Sequence, residues 1–155
     1  MQTILNYTEL YAVVERSVSI IAKRSVDDQG NHLFDNITLG SRETEIINDF
    51  FRSAIVSLAT DLRQYVTLEQ ATTSSYTIAI TLYPDHNNKL ENTIVQAIKD
   101  FMVAYALYSW FTISAPRIAD KYLSDANAQK SYIIAQVFHR QRPSSHPNPL
   151  RNKTS

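Results

Sequence analysis

The residues able to carry metal or acid–base chemistry are few: four histidines, His32, His86, His139 and His146, and no cysteine. None of these histidines has another histidine or a carboxylate three or four residues away in a predicted helix. That is the spacing that sets two ligands on one helix face. His32 lies near Asp27, Asp28 and Asp35, donors that together suit a cation. The stretch nevertheless lacks the alternating carboxylates and closing glutamate of a calcium loop, and a plain polar turn explains the same residues. Asp85 and His86 are adjacent, so they do not converge on one target, and PDHNN reads as a turn. With two glycines in the chain, phosphate-cradling loops of the Walker or dinucleotide type are excluded, and no Gly-x-Ser-x-Gly elbow occurs. The lack of cysteine removes thiol nucleophiles, thiolate zinc sites and disulfide scaffolds. We therefore expect no metal, no cofactor and no enzyme, the open exception being a site assembled between subunits.

Two other groups of residues invite a binding role. Tyr105, Tyr108, Trp110 and Phe111 form a ligand pocket, a contact surface or, as helix-spaced aromatics more often do, part of the core. The second group is the C-terminal stretch 140–155, which carries Arg140, Arg142, Arg151 and Lys153, no acidic residue, and Pro143, Pro147 and Pro149 beside Leu150. Such an arm is a fraying terminus, a polyanion hook or a peg for a protein socket. Proline favours the last two by restricting the free chain and so lowering the cost of ordering it. In extended form its sixteen residues reach on the order of 50 Å, beyond the body of a small domain.

The charge balance sharpens that choice. The chain has 15 basic and 15 acidic residues, and the arm holds four of the basic ones. Residues 1–139 are thus left with eleven basic and fifteen acidic side chains, a body of about −4 against an arm of +4. A near-neutral whole argues against a general nucleic-acid binder, which shows a basic face at domain scale. At 155 residues the chain suits one domain, here a helical body 1–139 with the extended arm 140–155. The longest uncharged run, FMVAYALYSWFTISAP at 101–116, is shorter than the roughly 20 residues of a membrane helix and holds polar residues throughout. MQTILNYTELYAVVERS has no basic n-region, so no secretory signal and no membrane contact are expected, and the protein reads as soluble and intracellular.

The elements that must position these residues are mostly helical. Asn6 is a candidate N-cap with Glu9 three residues on, followed by Leu10, Val13, Val14, Val18 and Ile21 at helical spacing to about Arg24. Residues 25–40, rich in Asp, Asn and Gly, predict a long loop that packs down through Leu33, Phe34, Ile37 and Leu39. Ser41 is expected to cap a second helix reaching Val66, with Ile47, Phe50, Phe51, Ala54, Ile55, Leu58, Leu62 and Tyr65 on its apolar face. The period then changes to two, placing Tyr76, Ile78, Ile80 and Leu82 on one face of a strand 76–83. Its partner is either 67–72 as a hairpin or another chain at an open edge. A third helix runs from about Asn88 to Ser114, apolar nearly all round, and a fourth from about Arg117 to His139. The fold class expected is mostly α: a bundle of about four helices with a short strand or hairpin insertion and an extended C-terminal arm.

In this order, ETEIINDFFRSAIVSLATDLRQYV, YTIAITLYP and LENTIVQAIKDFMVAYALYSWF resemble the head–tail connector, or head-completion adaptor, proteins of tailed bacteriophages. The likeness covers residues 42–139 and rests on an acidic helix start, an alternating strand and a helix with alanines and aromatics. The 25–40 loop and the long arm depart from the shortest members. The resemblance implies a structural virion protein in the neck, assembled in the host cytoplasm as a homo-oligomeric ring, a dodecamer. Such a ring joins the portal protein to tail or other neck proteins and lets DNA pass its lumen without specific binding. It also implies that the arm docks on the portal through Arg140, Arg142, Pro143, Pro147, Pro149, Leu150, Arg151 and Lys153. The alternative is a helical adaptor or regulatory module that binds nucleic acid through the same arm.

Overall fold

The computed structural model describes residues 1–24, 29–30, 39–72, 74–82 and 90–138, with the side chains of 70 and 71 excepted. Over these residues the chain forms a small antiparallel sheet and four α-helices, as the sequence pattern predicts for a mostly helical fold. Strand β1 is Gln2–Asn6 and leads directly into helix α1, Tyr7–Arg24. Asn6 ends the strand and caps the helix, its Oδ1 accepting the Thr8 N–H at 2.9 Å, while Lys23 and Arg24 lie in the last turn beside the free carbonyls. Leu10, Val14 and Val18 recur at helical spacing and are buried.

Helix α2 spans Thr44–Leu62, shorter at both ends than the sequence suggests. Ser41 does not cap it. Glu43 occupies the N-cap position, and its carboxylate reaches back to accept the Gly40 N–H at 2.8 Å, while the Glu43 N–H donates to the Gly40 carbonyl at 3.2 Å. At the other end Arg63 turns the chain with a φ of 50°, the left-handed region that side chains seldom adopt. A 3₁₀ turn, Arg63–Tyr65, then feeds strand β2, Val66–Thr72.

Strand β3, Ser75–Ile80, is the middle strand of the order β1-β3-β2, antiparallel to both neighbours. The open question of its partner resolves as a hairpin with β2, with β1 added on the far side. The strand stops at Ile80 instead of 83, although the Thr81 N–H still donates to the Tyr65 carbonyl at 2.8 Å. Ile78 and Ile80 are buried, with Tyr76 and Leu82 half-buried on the same period-two face.

Helix α3, Glu91–Ser114, is the hub, packing against α1, α2 and α4. Ile94, Ala97, Ile98, Phe101, Met102, Ala106, Leu107 and Phe111 are all buried, which is why its sequence is apolar nearly all round. Its polar residues fit because Ser109, Thr112 and Ser114 each donate a hydroxyl to the carbonyl four residues earlier, at 2.8–2.9 Å. One residue, Ala115, joins it to helix α4, Pro116–Val137, with Pro116 in the first turn where a missing N–H costs nothing. Phe111 meets the Tyr122 ring at 5.2 Å, and ten residues earlier Phe101 lies under the Lys130 ammonium at 6.0 Å. Helix α4 therefore runs back antiparallel along α3. No helix among the described residues is long and apolar enough to cross a membrane.

Candidate functional surfaces

The residues proposed from the sequence to meet a partner, Arg140, Arg142, Pro143, Pro147, Pro149, Leu150, Arg151 and Lys153, lie outside the described residues. So do all four histidines, with Asp27, Asp28, Asp35 and Asp85. What the structure does place is the root of the arm. Helix α4 ends at Val137, and Phe138 follows with its N–H donating to the Ile134 carbonyl at 3.1 Å. The Phe138 ring stands edge-on to Tyr65 at 4.9 Å, tying this end of α4 to the turn after α2.

The aromatic set, expected as a whole to be core, divides. Phe111 and Trp110 are buried, whereas Tyr105 and Tyr108 are half-buried and stack edge-on at 6.3 Å. Of the loop residues expected to pack down, Leu39 is buried; Leu33, Phe34 and Ile37 lie outside the described residues. The Tyr11 hydroxyl donates to the Gly40 carbonyl at 2.9 Å and fastens α1 to the approach of α2.

Depressions on the described surface include a groove and a polar hollow. The groove, of about 310 Å³, runs between α3 and α4, with Val103, Ala104, Leu107 and Tyr122 as its apolar lining and Asp100 and Asp125 among its polar residues. Burial, and then the Asp125 carboxylate, push the Tyr122 phenol above its usual value, so it is a neutral hydrogen-bonding group at ordinary pH. The second, about 400 Å³, is polar and lined by Glu45, Asn48, Asp49, Arg52 and Ser74, where Arg52 and Asp49 pair at 2.7 Å. Neither gathers a nucleophile beside a base. Among the described residues no group of three or more histidine, cysteine or carboxylate side chains is placed to hold a metal ion.

Two local arrangements escaped the sequence. Lys130 on α4 reaches α2, its Nζ 2.6 Å from Asp61 Oδ2 and donating to Ser57 Oγ at 2.8 Å. The signal that finds it is Ser57 and Asp61 four apart on one face of α2, but no local pattern says which cation faces them. The other is Tyr7, whose ring packs on Phe51 at 5.3 Å and Tyr76 at 5.8 Å, while its buried hydroxyl has no hydrogen-bond partner among the described residues. Burial, and then the neighbouring Tyr76, raise its phenol far above the tyrosine range, with Arg52 acting weakly the other way. Of the acidic helix starts, Glu9 lies 3.8 Å from Lys99 on α3 and Glu43 holds Gly40, so both face this chain's own groups. No family model matches the chain, and no curated protein or solved structure shows significant similarity to it.

Proposed function

We propose that the chain is a non-enzymatic assembly protein, a subunit of the neck ring that joins portal to tail in a tailed bacteriophage virion. The observation that carries this reading is the division of charge. A body of about −4 is followed, after α4, by a proline-studded stretch of +4 with no acidic residue. Such a stretch suits an acidic or carbonyl-rich protein socket, and its prolines lower the cost of ordering it. Further support comes from a body in which a long apolar α3 packs against three other helices, with Phe138, at the end of α4, held against Tyr65. In the assembled ring an acidic lumen lets DNA slide, because fixed phosphate contacts are what produce tight binding.

The experiment compares the full chain with one ending at residue 139. Portal protein from the same virus is expected to bind the full chain as a large cyclic oligomer by mass measurement and not to bind the shortened one. The melting temperatures of the two are expected to agree within about 2 °C, since an arm outside the core changes stability little. A large loss of stability instead means that the arm belongs to the chain's own core. DNA binding that weakens with a log–log salt slope of about four assigns the four cations to phosphate and favours the nucleic-acid module.

A further inference from the structure

Among the described residues strand β1 has a strand neighbour on one side only, β3, and hydrogen-bond parity says which groups its other edge offers. Met1 and Ile80 exchange both main-chain hydrogen bonds at 2.8 Å, and the Tyr7 N–H donates to the Ser74 carbonyl at 2.9 Å. In an antiparallel pair the bonded positions alternate. With Thr3 opposite Ile78 and Leu5 opposite Tyr76, residues 1, 3, 5 and 7 turn their main-chain groups inward to β3. Gln2, Ile4 and Asn6 therefore aim theirs off the sheet. The Ile4 N–H and carbonyl have no partner among the described residues, and the Ile4 side chain is 64% exposed.

The two edge strands differ in the features that discourage pairing. Strand β2 has a register shift between Gln70 and Thr72 and carries Glu69, a bulge and a charge of the kind that discourage pairing. Strand β1, QTILN, has neither bulge, proline nor charge. Its outward positions read amide, isoleucine, amide, a pattern symmetric about Ile4. Antiparallel pairing of two copies about a two-fold axis at Ile4 sets Ile4 opposite the partner's Ile4. It also sets Gln2 opposite the partner's Asn6, and Thr3 opposite the partner's Leu5. Each position then meets one of compatible chemistry with no like charges opposed. A peptide of other sequence satisfies the hydrogen bonds but not this register.

We propose that β1 is a self-pairing edge: two copies of the chain join through their β1 strands, with main-chain hydrogen bonds exchanged at Ile4, into one six-stranded sheet. The contact is two-fold and closed, unlike the head-to-tail contacts of a ring, so it goes beyond the neck-ring reading and is tested without portal. A five-residue edge buries less than the roughly 1,200 Å² of a standard stable interface, so the pair is expected to be weak and to reverse on dilution.

The test is sedimentation of the full chain across a wide concentration range, for the wild type and for Ile4→Lys. The wild type is expected to shift from monomer to dimer as concentration rises. Ile4→Lys sets two ammonium groups face to face at the axis and is expected to stay monomeric with an unchanged melting temperature. Hydrogen exchange supplies an independent reading. The Ile4 amide is expected to gain protection with concentration, whereas those of Thr3 and Leu5 are protected throughout. A wild type that is monomeric at every concentration overturns the inference. So does a dimer that Ile4→Lys leaves intact, or an Ile4 amide whose exchange ignores concentration. None of these results bears on portal binding.

Discussion

Replacing Tyr7 by phenylalanine is expected to stabilise the protein, which is unusual for a change in a core. Tyr7 is 0% exposed, between Phe51 and Tyr76, and its hydroxyl lacks a partner among the described residues. A buried polar group left unpaired costs about 1–3 kcal/mol, and Tyr7→Phe removes it while keeping the ring that fills the space. Allowing for small losses of packing around the missing oxygen, the gain is on the order of 1 kcal/mol. That is a rise of roughly 2–4 °C in melting temperature for a chain of this size, or about 0.3–1 M in urea midpoint. The sign also predicts a pH dependence. The phenol's folded pKa is raised above its unfolded value of about 10. The neutral form therefore contributes stability that is whole below about pH 10 and is lost as pH climbs toward the folded value. Urea unfolding of both proteins at pH 8 and at about pH 11 checks this, the Tyr7→Phe advantage widening at the higher pH. A variant less stable than wild type by 1 kcal/mol or more at pH 8 refutes the reasoning, because the hydroxyl must then be making a bond.

Lys130→Met keeps the aliphatic stem and removes the ammonium that bridges to Asp61 and Ser57. Because the pair is partly exposed, the expected loss is about 0.5–1 kcal/mol in denaturant titration, shrinking at about 1 M salt. Ile78→Ala empties a fully buried position at the centre of the sheet and is expected to cost about 2–5 kcal/mol. Ile4→Ala, one strand away on the open edge, is expected to change the stability of dilute protein by less than about 0.5 kcal/mol. Similar losses for the two isoleucines contradict the assigned edge.

Much of this architecture was legible because its signals are local. Asn6 caps α1 as its side-chain chemistry requires, the period shift near Tyr76 marks β3, and the all-round apolarity of α3 marks the hub. The reading failed where a local signal was lacking or ambiguous. Nothing like glycine stands at Arg63 to announce the end of α2, and the apolar pattern continues to Val66. The chain instead forces a residue with a side chain into positive φ. Ser41 looked like the cap, but Glu43 closes the turn by reaching back to Gly40.

By itself, then, the sequence determined the helical periods, the split between an acidic body and a basic arm, and the lack of cysteine and of glycine-rich phosphate-loop motifs. Only the tertiary structure decided that QTILN is a strand, since five residues carry too little alternation to be read and their partners lie 69 to 77 positions away. It likewise decided that Lys130 faces Asp61 and that the Tyr7 hydroxyl has no partner among the described residues. Local propensity is written in neighbouring residues, whereas pairing and burial depend on which distant surfaces meet, and those are selected by the packing of the whole chain.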